Sequence, residues 1–164
     1  MEQTLTQQEL DERVAILQRF RSLLEKQRNK FREYLHVLEQ QQDTIANEDG
    51  DGILAHTELE TQILEHITGL QKVIVPVQSL YQTIAGDIPA ADNANIEQMQ
   101  DDLERIRRQV LNQNEKNREL LRAHIKQIRS QLDTLMQHSP YRGRRSIYAE
   151  NTAVATGNMI AVDA

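Results

Sequence analysis

The sequence predicts an all-α protein: three long helices, an antiparallel hairpin with a third helix alongside, coiled-coil character, and a disordered C-terminal tail. Three observations predict it. Apolar residues recur at steps of three and four through most of residues 6–137. Clusters of Gly, Asp, Asn and Pro interrupt that pattern around residues 47–52 and 86–94. Charged residues make up 27% and aromatic ones 4%, with no Trp, a balance suited to long helices. The reading gives a helical domain over residues 1–138, with helices at about 6–46, 53–85 and 95–137, and a flexible tail at 139–164.

The first helix opens on Thr6 and Glu9, a capping-box pair, with Leu5 and Leu10 placed as a hydrophobic staple. Leu10, Leu17, Leu24, Phe31, Leu38 and Ile45 then fall on a strict seven-residue repeat. Val14, Ile16, Phe20, Leu23, Tyr34 and Leu35 widen it to one face. Such a repeat means a seam packed on another helix. The opposite face, with Arg21, Lys26, Arg28, Lys30, Arg32 and Glu33, reads as a solvated surface.

Asn47-Glu-Asp-Gly-Asp-Gly52 breaks the helix, and its glycines predict a tight helix–helix turn. In the second helix Leu59, Ile63, Ile67, Leu70, Ile74, Val77, Tyr81 and Ile84 form the stripe. Pro76 lies inside it. Proline removes a donor and clashes with the preceding turn, so a kink near Lys72 to Pro76, or two shorter helices, is expected. Gly86 to Ala94 reads as a connecting loop.

The third helix is expected to start at Asn95, paired with Gln98 in a capping box, with Asp101, Asp102 and Glu104 near the positive end of its dipole. Ile96, Met99, Leu103, Ile106 and Val110 carry its stripe. The stripe turns polar at Asn114 and Asn117, then resumes at Leu121, Ile125, Ile128, Leu132 and Leu135. A buried asparagine on such a seam commonly fixes register. At about 1.5 Å per residue the run spans roughly 60 Å, longer than a compact bundle requires. Its distal half is therefore expected to lack an internal partner. Ser139-Pro140 ends it, and the tail has no sustained period.

Composition narrows the function. Cysteine is absent, which excludes disulfides and thiol chemistry. The N-terminus lacks the basic and apolar regions of a secretion signal, and no apolar run approaches the roughly 18 residues of a membrane span. A net charge of −6 argues against nucleic acid as a partner. Asn47, Asp49, Asp51, the carbonyl of Ile53, and Glu58 match the ligand spacing of an EF-hand calcium loop, with Gly52 at the turning position. The first position is Asn rather than Asp and no second loop pairs with it, so a plain Gly/Asp turn is the preferred reading. Glu33-Tyr-Leu-His36 has the Glu-x-x-His spacing of di-iron bundles, but no second pair exists. His56, His66, His124 and His138 lack zinc-site spacing. No nucleophile elbow or phosphate loop is present, so neither an enzyme nor a cofactor is expected. Arg142-Gly-Arg-Arg145 is a short basic knot in the tail.

Asn114-Glu-Lys-Asn117-Arg-Glu-Leu120-Leu121, an Asn-x-x-Asn-x-x-Leu-Leu run in the last long helix, resembles flagellar export chaperones of the FlgN type. His56-Thr-Glu-Leu-Glu60 and Gln71-Lys-Val-Ile with Pro76 resemble spirochaete members. The resemblance covers most of Thr6 to Tyr148. It implies a cytoplasmic, non-enzymatic chaperone that binds the C-terminal helices of hook-associated, or hook–filament junction, proteins and brings them to the type III export gate. The client site would be Asn114, Asn117, Leu121, Ile125, Ile128, Leu132 and Leu135, and Tyr148, then Tyr141, would dock on the gate. In the absence of client such a chaperone would form a dimer. Two other uses of the same residues are a self-associating coiled-coil adaptor, whose stripes pair with copies of itself, and a calcium-responsive helical protein.

Overall fold

The Thr6–Glu9 pair starts the first helix as expected. Thr6 accepts from the Glu9 backbone N–H at 3.3 Å, and the Glu9 carboxylate accepts from the Thr6 N–H at 2.8 Å. In the computed structural model, which describes residues 5–138, α1 spans Gln7–Ala46, α2 Gly50–Ile84 and α3 Ala90–His138. A short 3-10 turn, Ala85–Asp87, joins α2 to α3. No strand occurs among the described residues. The chain divides into two compact units, Met1–Arg122 and Ala123–Ala164.

In the first unit α1 and α2 form an antiparallel hairpin whose backbones approach within 8 Å. α3 runs parallel to α1: Arg21 meets Asp92, Arg28 meets Asp102, and Leu38 meets Asn117 in ascending order. The core has two clusters. Phe20, Leu23 and Leu24 of α1 pack with Ile74, Val77 and Tyr81 of α2 and with Ile88 and Ile96. Tyr34, Val37 and Leu38 pack with Ile63, Ile67 and Val110. Each fully buried aliphatic side chain contributes roughly 1.5–3 kcal/mol, so these clusters, not local propensity, hold the helices together.

The first turn differs from expectation. α2 begins at Gly50 rather than residue 53, so Gly50 and Gly52 are both helical and neither takes a positive φ. The left-handed residue is Glu48, at φ 56°. Asp49 caps α2, its carboxylate accepting from the Gly52 N–H at 3.1 Å. Gly52 matters for space instead: a Cβ there would lie 2.5 Å from an Asp49 carboxylate oxygen and 2.6 Å from a Thr44 methyl, whereas one at Gly50 would meet nothing within 4 Å. Gly52→Ala is therefore expected to lower stability by about 1 kcal/mol through displacement of the cap, despite alanine's better helix propensity. Gly50→Ala should hold or raise it. Paired urea melts check the opposite signs.

α2 passes Pro76 as one assigned helix, not two shorter ones. Pro76 is exposed between buried Ile74 and Val77, so water can reach the carbonyl that its missing N–H leaves unpaired. The third helix begins five residues before the expected Asn95. The Pro89 carbonyl accepts from the N–H groups of Asp92 and Asn93, which starts the helix directly after the proline and leaves Asn95 inside it. The asparagine that ties the junction is Asn93. Its amide donates to the Ala85 carbonyl at 2.8 Å, and its oxygen accepts from the Tyr81 hydroxyl.

The apolar face of α1 frays at its start: Leu10, from the seven-residue repeat, and Val14, beside it, are exposed. The charged face is not wholly solvated. Arg13 lies 2.8 Å from Asp87, Arg21 3.4 Å from Asp92, and Arg28 4.0 Å from Asp102. These cations stitch α1 to the junction and to α3. The tail residues Tyr141, Arg142 to Arg145 and Tyr148 lie outside the described residues.

Candidate functional site

The polar interruption of the α3 stripe is where that helix is keyed to the hairpin. Asn117 is 3% exposed; its amide donates to the Leu38 carbonyl at 2.8 Å and to the Gln41 side chain at 3.1 Å. Its oxygen accepts from Gln113, which also donates to Gln42 at 2.6 Å. Asn114 is half-buried, with its amide 3.5 Å from the Tyr34 hydroxyl. That hydroxyl donates to Glu60 of α2 at 2.5 Å. Burial, then the bond to Glu60, raises the tyrosine's pKa, so it stays a protonated donor.

The two asparagines thus differ in use. Asn117 is committed to α1, which is the register-fixing use of an asparagine on such a seam. A buried amide finds its partners in one register only, because a slip of α3 takes it away from the Leu38 carbonyl and Gln41. Asn117→Ala should cost about 1–3 kcal/mol in a denaturant melt, with hydrogen exchange rising in α3 around Val110 to Leu120. An unchanged exchange pattern there would contradict the keying role.

Beyond that key the apolar stripe emerges. Leu121, in the first unit, is 38% exposed. In the second unit Ile125, Ile128, Leu132 and Leu135 are all exposed, rising to 67% at Leu135. Met136, at 70%, belongs to the same edge although the sequence reading passed over it. Its signal was available, since it lies four residues after Leu132 on the helix. Lys126, Arg129 and Asp133 stand between these side chains. A row of aliphatic side chains on an exposed helix edge marks an interaction surface rather than a chemical centre.

Elsewhere the residues weighed for metal chemistry are not assembled. Asp49 is a helix cap, and Asp51, Ile53 and Glu58 lie in the opening turns of α2, so Asn47 to Glu58 is not an open ligand loop. The connection between the helices is only Asn47 to Asp49. Glu33 pairs with Lys30 at 2.7 Å, and His36 is exposed. The His56 Nδ1 lies 3.3 Å from the Thr44 hydroxyl across the hairpin. Among the described residues no three His, Cys, Asp or Glu side chains converge as a metal site. No helix among them is long and apolar enough to cross a membrane.

A family model described as FlgN protein matches residues 16–152. An uncharacterized protein of Treponema pallidum (strain Nichols) is 40% identical over 129 residues, covering 79% of this chain and 80% of that protein. No solved structure matches.

Proposed function

The chain belongs to the FlgN family of flagellar export chaperones, and from that premise we propose that it captures the C-terminal amphipathic helices of hook-associated proteins and delivers them to the type III export gate. The observation that carries this reading is the exposed row from Ile125 to Leu135 in the second unit. An amphipathic client helix would lay its apolar face along that row, in the helix-on-helix mode used by many peptide-binding proteins. Burying three or four aliphatic anchors at roughly 1.5–3 kcal/mol each supports micromolar or tighter binding after ordering costs. Lys126 and Arg129 favour a client helix with carboxylates beside its apolar stripe. Capture would also keep that stripe from premature assembly.

The client surface in this reading is Leu121, Ile125, Ile128, Leu132 and Leu135, joined by Met136. Asn114 lies at its proximal margin, and Asn117 positions α3 from beneath. Tyr148, with Tyr141 second, remains the proposed gate-docking residue, and the protein acts in the cytoplasm without catalysis or cofactor. Co-purification tests the function. A hook-associated protein should form a complex with the full chain and lose it when the client's C-terminal helix is deleted. If no hook-associated protein from the same cell binds, or if the truncated client binds equally well, the reading fails.

A further inference from the structure

We propose that the channel between α2 and α3 in the first unit docks an amphipathic helix of a partner protein, acidic in its N-terminal half and basic in its C-terminal half. This stands apart from the export reading, since none of the residues concerned belongs to the distal α3 edge. Ion pairs and the Asn117 amide hold α3 against α1. Against α2 it closes near Tyr81, where Asn93 and Ile96 pack, and near Ile67, where Val110 packs. Between those points the rims carry Gln71 and Gln78 on α2 and Gln100 and Glu104 on α3, polar groups that cannot close over an apolar floor without losing water. They leave a hollow of about 540 Å³, lined by Leu24 and Phe31 of α1, Ile74 and Val75 of α2, and Leu103 of α3. It continues past Gln78 and Gln100 into a second hollow of about 320 Å³ beside Tyr81 and Glu97. From Ile67 to Gln82 the channel follows α2 for about 22 Å, or four turns.

The spacing of the lining selects a helix. Leu24 and Phe31 are seven residues apart, as are Ile67 and Ile74, so recesses recur at about 10 Å, the repeat of a coiled-coil partner. Same-side residues of an extended chain recur at about 7 Å and would miss them. Midway lies Gln27, 5% exposed, donating to Gln71 at 2.8 Å. Its carbonyl oxygen accepts no hydrogen bond among the described residues. The occupant therefore carries two aliphatic anchors with an asparagine between them, whose amide supplies that oxygen with a donor. Charge sets the direction. Glu104 is engaged by Arg107 at 2.9 Å and by Arg108 at 3.3 Å, so that group holds one surplus cation. Lys72 lines the same hollow and is in no ion pair among the described residues. Glu97, exposed, lines the other one. A docked helix matches this gradient with carboxylates in its first half, beside Lys72 and Arg107, and lysines in its second, beside Glu97. Its own dipole favours the same distribution.

Two labelled peptides of about sixteen residues, sharing one Leu-Asn-Leu face at coiled-coil spacing, test this by fluorescence anisotropy on the full chain. One carries Glu in its N-terminal half and Lys in its C-terminal half; the other has the charges exchanged. The first should bind at micromolar concentration and the second about tenfold or more weaker. Lys72→Glu combined with Glu97→Lys should remove that preference. Val75→Glu, on a channel wall but 51% exposed and so harmless to the core, should weaken the first peptide about tenfold or more. Ile125→Asp with Ile128→Asp should leave its affinity within about threefold. Circular dichroism of each variant should match the parent. No binding of either peptide up to about 100 μM overturns the proposal, as do equal affinities for the two. So does binding that survives Val75→Glu or is lost with the Ile125 and Ile128 substitutions. Displacement of the peptide by micromolar dodecanoate would make the channel an acyl-chain site and would overturn it as well.

Discussion

Replacing Ile125 and Ile128 together by Asp should abolish capture of a hook-associated protein while the helical domain stays folded. Both side chains are exposed, at 43% and 47%, so neither holds the core. The change costs only a few tenths of a kcal/mol per residue in helix propensity. In a complex the same positions would be buried. Losing two aliphatic anchors removes about 3–6 kcal/mol, and desolvating two carboxylates adds to that. At 1.4 kcal/mol per factor of ten, affinity falls by at least about a hundredfold. Gln127→Asp, which adds one of those two charges at an exposed neighbouring position, should change it by no more than a few-fold. Titration calorimetry against a client C-terminal fragment gives both numbers. Equal losses in the two variants would mean that the apolar edge is not the binding surface.

The largest stability effect is expected from Phe20→Ala. Phe20 is fully buried, its ring centroid 5.0 Å from that of Tyr81, and its cluster draws on α1, α2 and α3. Removing the ring loses the transfer free energy and leaves a cavity that three helices would have to move to close, a cost of about 3–5 kcal/mol. A domain of this size is commonly stable by only about 5–15 kcal/mol. Urea unfolding should therefore shift strongly to lower denaturant. Val14→Ala, which the seven-residue repeat would have placed on the same face, should change stability by less than about 0.5 kcal/mol because Val14 is 51% exposed. A similar shift for both variants would show that the first core cluster is not the main support of the bundle.

These variants separate what could be read from the chain from what could not. The Thr6–Glu9 cap was legible because both partners lie within one turn, where sequence spacing fixes geometry. The core row of α2, from Ile63 to Tyr81, was legible because periodicity selects a face. The exposed edge from Ile125 to Leu135 was legible as a surplus, since the helix is longer than the two before it. Periodicity gives the direction of a face but not its neighbour. It therefore named Leu10 and Val14 as seam residues where the fold leaves them exposed, and it set Arg21 and Arg28 in solvent where α3 supplies Asp92 and Asp102.

Starts and stops depended on competition between near-equal local signals. Asn95 with Gln98 is a sound capping pattern, but Pro89 begins the helix earlier, and Asn93 finds partners on Tyr81 and Ala85 that no local rule encodes. The glycines at the first turn looked like backbone hinges. Instead Glu48 takes the left-handed conformation, and Gly52 is needed for the space that Thr44 and Asp49 occupy. By itself the sequence determined the helical class, the three-helix order, the resemblance to export chaperones and the apolar character of the distal α3 edge, because each follows from spacing along one chain. Only the tertiary structure decided that Asn117 locks α3 to Leu38, because burial depends on which residues stand opposite one another, and that is settled by packing between helices distant in sequence.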